Sequence, residues 1–209
     1  KTHPVDHSAP GAMAVEVTAE GKKVFFTGDL RAHGYKHKQF ENLIKRPPQN
    51  VDAMLMEGSS LGRGPTEYAY PDEPAVRDGL IKKINNASGL VLLFCSSQNV
   101  DRVVSAFRAA QETGRELVLD YYTAYILSLL KDHSTGINKV LRNCRFLYWR
   151  GHGDALRNAG RIDFLRFIKK KNARIYPQVI PANPEKFLVV ANRDRRLPEI
   201  PENLDAEGI

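Results

Sequence analysis

The chain has 209 residues, room for one domain or two small ones, and its 42% apolar content excludes a disordered tail. A net charge of +7 with a pI near 9.4 favours anionic partners, nucleic acid above all, and equally suits a lysine-rich surface that has none. No apolar run reaches the roughly 18 residues that a membrane span needs, so no membrane partner is expected.

In chain order, Met13, Val15 and Val17 alternate with smaller or polar residues, the mark of a half-buried strand. Glu20-Gly21-Lys22 reads as a tight turn and residues 23–27 as a second strand, so the pair is a hairpin. His7 precedes the first strand and Asp29 follows the second. An antiparallel hairpin carries those two ends to one edge of a sheet, and imidazole nitrogen and carboxylate oxygen are common zinc ligands. Phe40, Leu43 and Ile44 fall at helical spacing, and Pro47-Pro48 stops that helix. Residues 51–57 form a short strand ending on Glu57, and the Gly- and Ser-rich stretch 58–65 is the expected boundary.

Beyond it helices and strands alternate. Helices are expected over 74–86, 99–113, 122–131 and 162–171, with Val100, Val103, Val104 and Phe107 on one face of the second. Strands are expected over Leu90–Phe94, Glu116–Asp120, 144–149 and Phe187–Ala191. The run Leu90–Phe94 is apolar throughout, as in a strand buried on both faces. Such alternation implies crossover connections and a mainly parallel sheet. The tail from Arg193, with Pro198 and Pro201, reads as irregular. Cys95 and Cys144 lie in apolar strand-like runs, which fits buried free thiols and a cytosolic protein.

Asp6-His7-Ser8, followed by a hairpin ending in Thr27-Gly28-Asp29, resembles the third and fourth metal-binding motifs of the metallo-β-lactamase superfamily. Leu30-Arg31-Ala32-His33-Gly34 and Met54-Leu55-Met56-Glu57-Gly58 are similar to the β-CASP, RNase J-like branch that processes RNA and DNA. The resemblance implies an α/β fold: residues 1–62 as the later part of a metallo-β-lactamase αβ/βα domain, and 63–209 as an incomplete α/β β-CASP-like domain. It implies two zinc ions in the whole protein, with His7 a terminal ligand, Asp29 a bridging ligand and catalytic residue, and Glu57 a supporting acid. It implies hydrolysis of a nucleic-acid phosphodiester, RNA first, and leaves room for a homodimer.

That superfamily's His-x-His-x-Asp-His signature is absent from the six histidines, which are His3, His7, His33, His37, His133 and His152. The expectation is therefore an internal fragment, catalytically poor or dead by itself, whose metal occupancy is in doubt. Two other readings stay open: a non-catalytic α/β module binding a nucleotide or RNA, and a hydrolase of the same superfamily acting on a small ester or thioester.

Each candidate has a plainer reading. His7 also suits a strand cap and Asp29 an ordinary turn acid. Arg31 and His33 are expected along a substrate cleft, Arg31 as a phosphate contact, or equally as plain loop residues. His37 reads as a loop residue, and Glu57 equally as a solvated strand-end acid. Ser96 and Ser97 lie between a strand and a helix start, where backbone N–H groups hold anions, or where Ser97 or Asn99 caps the helix. Asp120 occupies the same kind of strand end, and the two loops share a rim if the sheet is parallel. Tyr121 and Tyr122 there are placed to stack on bases, with at least one expected in the core. His152, in Gly151-His152-Gly153-Asp154, reads as a flexible glycine loop. Lys169-Lys170-Lys171 with Arg174, and Arg193, Arg195 and Arg196, either follow a nucleic-acid backbone or form solvated faces.

Overall fold

Glu20 and Gly21 both have positive φ, 50° and 74°, the left-handed pair that a two-residue hairpin turn needs. They join β2 (Met13–Ala19) to β3 (Lys22–Phe26), with Ala19 opposite Lys22 and Val17 opposite Val24. This computed structural model of the chain describes residues 1–59, 72–148, 150–191 and 206–208. Two compact units are present, Lys1–Val76 and Arg77–Ile209. The boundary expected at 62/63, and Arg193, Arg195, Arg196, Pro198 and Pro201, lie outside the described residues, as do the side chains of His152 and Lys170.

In the first unit β1 (Thr2–Pro4) adds antiparallel to β2, and β4 (Ala53–Leu55) adds parallel to β3. The sheet order is β1-β2-β3-β4. Ala14 and Phe25 are buried with Val5 on one face, covered by Leu30, Val51 and Leu43 of helix α1 (His37–Lys45). The expected apolar stripe is on the other face. Met13, Val17, Phe26 and Leu55 are each about half exposed, because α1 covers the face that carries the smaller Ala14.

The second unit is built on six parallel strands in the order β10-β5-β9-β6-β7-β8. They are β5 (Leu90–Phe94), β6 (Glu116–Asp120), β7 (Arg145–Leu147), β8 (Arg174–Ile175), β9 (Phe187–Ala191) and β10 (Ala206–Gly208). β9 enters between β5 and β6, and its first four residues are all buried, as both-face cover requires. Leu90, Val118, Leu147, Ile175, Ile180, Phe187 and Val189 form one core cluster.

Helices α2 (Glu73–Asn86), α3 (Val100–Glu112), α4 (Tyr121–Leu130), α5 (Thr135–Asn143), α6 (Arg150–Asn158) and α7 (Ile162–Lys170) connect these strands. Asn99 caps α3, its side chain accepting from the Arg102 N–H at 3.1 Å. Gly114, with φ 73°, ends it. The Arg115 N–H reaches the Ala110 carbonyl and the Gly114 N–H the Gln111 carbonyl, the paired bonds of a Schellman stop.

The expected glycine loop at 151–154 is instead part of α6. Gly153 eases the close packing of α6: a Cβ there would stand 3.3 Å from the Tyr148 ring, a tighter contact than most. Cys144 is buried, its thiol pushed up to about 12 by burial, Cys95 is half-buried, and neither is in a disulfide. No helix among the described residues is long and apolar enough to cross a membrane.

Candidate functional site

His7 sits in the loop between β1 and β2, which the Val5 N–H closes on the Ala12 carbonyl at 3.1 Å. The half-buried imidazole accepts from the Ala9 N–H through Nδ1 at 3.4 Å, a long contact. That contact places the proton of the neutral ring on Nε2. Ligation of a metal through Nε2 would shift the proton to Nδ1 and give up only this weak bond.

Asp29 follows Gly28, whose φ is 59° and whose Cβ would lie 3.2 Å from the Met13 carbonyl oxygen. Glycine is therefore required for the chain to leave β3 beside β2. The Asp29 side chain is exposed, and among the described residues its carboxylate has no hydrogen-bond or ion-pair partner.

The residues around Asp29 are braced. Thr27 is buried, and its hydroxyl donates to the Gly28 carbonyl at 2.8 Å while accepting from the Glu57 N–H at 3.2 Å. The Thr27 N–H donates to the Leu55 carbonyl at 3.0 Å. Glu57 Oε2 accepts from the Leu30 N–H at 3.0 Å, and its Oε1 accepts from the Ser59 hydroxyl. Glu57 is thus neither a free strand-end acid nor aimed at open solvent. It holds the backbone of the residue after Asp29.

A second brace joins the His7 loop to the Asp29 loop. The Arg31 N–H donates to the Asp6 carbonyl at 2.8 Å, and the Gly34 N–H donates to Asp6 Oδ2 at 2.6 Å. The Arg31 guanidinium lies 3.8 Å from Asp6 Oδ1 through Nε and 3.6 Å from Glu73 Oε1 through Nη1. The Glu73 N–H in turn donates to the His33 carbonyl at 3.0 Å. Asp6 and Glu73 are buried, and the Arg31 side chain is only 13% exposed. Arg31 therefore lies between two interior carboxylates rather than along an open cleft.

His33 is exposed on the same loop, and His37, also exposed, places Nδ1 3.3 Å from the Gly34 carbonyl. The sequence pattern did not single out Asp6 or Glu73. The available signal was weak: Asp6 is an acid beside His7, and Glu73 reads as a solvated helix-start acid ahead of Pro74.

Among the described residues no three His, Cys, Asp or Glu side chains are grouped to hold a metal ion. A zinc site takes three or four protein ligands. The residues present therefore do not amount to a complete metal centre, whatever His7 and Asp29 contribute to one.

In the second unit the parallel sheet does place the loops after β5 and β6 on one rim. Ser97 is buried and its hydroxyl accepts from Thr123 at 2.8 Å, a bond that ties the two loops together. Ser96 is exposed, and its Oγ accepts from the Gln98 N–H at 3.3 Å. Asp120 caps α4 by accepting from the Thr123 N–H at 2.6 Å.

Of the two tyrosines that follow, Tyr121 is wholly buried and Tyr122 is 44% exposed. Tyr121 meets Tyr148 edge-on at 5.6 Å, and Tyr148 meets Tyr176 at 5.3 Å. Burial pushes the Tyr121 phenol up to about 12, with the Arg174 guanidinium pulling the other way. An unfolded tyrosine titrates near 10. The folded chain thus keeps a proton that the unfolded chain has lost between those values. Stability contributed by the neutral phenol is complete below pH ~10 and is lost as pH rises through about 12. A phenolate absorbance titration is expected to show one tyrosine ionising with unfolding, and Tyr121→Phe is expected to flatten that alkaline loss.

No protein-family model matches the sequence. Two curated relatives are ribonuclease J of Mycolicibacterium smegmatis, 28% identical over 119 residues, and ribonuclease J of Mycobacterium tuberculosis, 28% identical over 120 residues. Each match covers 54% of this chain and 20% of the relative, so the chain spans about a fifth of the length of the curated relatives it matches. A solved structure of a protein of unknown function from Enterococcus faecalis V583 superposes with a TM-score of 0.61 at 17% identity, over 91% of this chain and 40% of that one. At that identity the likeness is one of fold alone. Over about half its length, then, this chain is similar in sequence to ribonuclease J of two mycobacteria, and over nearly all of it the fold is shared with the enterococcal protein.

Proposed function

We propose that this chain is part of an RNA-cleaving hydrolase of the metallo-β-lactamase superfamily, in its β-CASP branch. The first unit would belong to the catalytic core and the second would be the α/β insert. The observation that carries the reading is the brace between two loops: Asp6, next to His7, is bonded through its carbonyl and its carboxylate to Arg31 and Gly34, just past Asp29. That arrangement suits two ligands held on neighbouring backbone segments. The similarity to ribonuclease J and the net charge of +7 support RNA as the substrate.

In this reading His7 and Asp29 are ligands to a two-zinc centre, and Glu57 and Arg31 are positioning residues for the Asp29 loop. His33 and Ser96, both exposed, remain candidates for substrate contact, while Ser97 serves the rim from within. Two ligands are fewer than a zinc site needs, so the chain alone would be catalytically poor, with the other ligands supplied by the remainder of a longer polypeptide. The lack of a disulfide at Cys95 and Cys144 suits a reducing compartment such as the cytosol.

The test is hydrolysis of labelled RNA and of small esters by the polypeptide encoded by the whole reading frame around this chain, with bound zinc measured in parallel. His7→Ala and Asp29→Ala are each expected to abolish RNA turnover and lower the zinc content. Glu57→Ala is expected to reduce activity roughly 10- to 100-fold, the usual effect of removing a support behind a ligand. Undiminished turnover in the His7→Ala, Asp29→Ala double variant would reject the metal-centre reading. Turnover of esters without RNA would reject the substrate.

A further inference from the structure

A small cleft of about 230 Å³ opens in the second unit among α6, α7, Tyr148 just past β7 and Arg174 at the start of β8. Its lining combines the apolar side chains of Tyr148, Ile162 and Leu165 with four cations, Arg157, Arg166, Lys169 and Arg174. The α7 residues Ile162, Leu165, Arg166 and Lys169 fall at i, i+3, i+4 and i+7, so one face of that helix supplies half the lining. The adjoining side of α7 packs inward through Ile168, which is fully buried.

The charges in this lining are not balanced. Arg157 pairs with Asp154 at 2.5 Å and Arg166 with Asp163 at 3.2 Å. Lys169 and Arg174 have no carboxylate partner among the described residues. The arginine is held in place all the same: its guanidinium lies over the Tyr148 ring at 5.5 Å, an arrangement that fixes a cation without neutralising it. Its Nε is buried with no hydrogen-bond partner. Two cations without a carboxylate partner beside an apolar lining that includes the Tyr148 ring suit a ligand that carries both a phosphate and a flat ring. Tyr176, 47% exposed and edge-on to Tyr148, offers a further ring at the same sheet edge.

We propose that this cleft is a binding subsite for single-stranded RNA. Its apolar lining takes a nucleobase, and Lys169 and Arg174 hold the backbone phosphates. The choice of RNA rests on the hydrolase reading above. The site itself rests on this unit's own residues, none of them a proposed metal ligand. Aromatic side chains among cations bind single strands because stacking accepts any base while the cations follow the backbone.

The test measures binding of a fluorescein-labelled oligouridylate to the full 209-residue chain by anisotropy over a range of salt concentrations. Lys169→Gln and Arg174→Gln are each expected to weaken binding several-fold. Each should also flatten the slope of log K against log salt by about 0.7, the contribution of one cation on a single strand. Lys169 is exposed, so its variant reports binding without a folding effect, and Lys45→Gln on the first unit is expected to change nothing. An unchanged affinity and slope in Lys169→Gln, or no binding of the oligouridylate at all, overturns the proposal. If the whole polypeptide cleaves RNA while the cleft variants bind normally, the subsite alone fails. If the cleft variants lose binding while no RNA is cleaved, the hydrolase reading alone fails.

Discussion

Arg31→Met is expected to destabilise the first unit by ~3–5 kcal/mol, the cost of leaving buried charge without its counter-ion. Asp6 is 0% exposed and Glu73 1%, so neither carboxylate can recover its lost partner by turning to water. The guanidinium stands between them at 3.8 and 3.6 Å. Arg31→Lys should lie between wild type and Arg31→Met, because an ammonium is a point charge and lacks the planar fork that faces both acids. Hydrogen exchange is the direct readout. The amides of Arg31 and Gly34 both donate to Asp6 and should lose protection first. If Arg31→Met keeps both amides protected and unfolds at the wild-type urea concentration, the brace is not what holds these loops. Because the same brace carries the proposed ligand loops, a stability loss here is expected to appear as lost zinc and lost activity in the whole polypeptide, although Arg31 is not itself a proposed ligand.

The second large effect is expected at Arg115, which the sequence presents as an ordinary cation after a helix stop. Its guanidinium donates to four backbone carbonyls: Ile84 at 3.3 Å and Ala87 at 2.8 Å near the end of α2, Gly89 at 2.7 Å before β5, and Phe187 at 3.2 Å on β9. Helix ends leave carbonyls unsatisfied, and here one side chain takes the Ile84 carbonyl in the last turn of α2 and the Ala87 carbonyl just past it while tying in two strand ends. Arg115→Ala should cost ~3–5 kcal/mol and Arg115→Lys ~2 kcal/mol, since hydrogen bonds to charged groups contribute about 1.5–3 kcal/mol each and are not fully additive. Chemical denaturation of the full chain checks this. A lysine variant as stable as wild type would show that charge alone suffices and that the forked geometry does not matter.

Local signals read well where they act over a few residues. Glu20-Gly21 set the hairpin turn, Gly114 set the end of α3, and the apolar runs Leu90–Phe94 and Phe187–Ala191 became central parallel strands. The glycine of Thr27-Gly28-Asp29 is required on geometric grounds, as the close approach to Met13 shows. The pattern failed where a partner far along the chain decides the outcome. The stripe of Met13 and Val17 is larger than the Ala14 set, yet it is the exposed one, since burial depends on which face α1 covers. Tyr121 and Tyr122 are adjacent and chemically alike, and only their placement at the end of β6 sends one into the core and the other to solvent.

The amino-acid sequence by itself determined the hairpin, the helices and strands with strong periodicity, the parallel character of the second sheet and the placing of His7 and Asp29 at the two ends of one hairpin, but not the short β1, β8 and β10 or the helices α5 and α6. Those features follow from backbone preferences and short-range periodicity, which any local window contains. The tertiary structure alone decided that Arg31 belongs between Asp6 and Glu73, that Glu57 holds the Leu30 amide, and that β9 enters between β5 and β6. Each of these joins residues distant in sequence, where the free energy comes from desolvated charge and buried area that exist only once the chain has closed on itself.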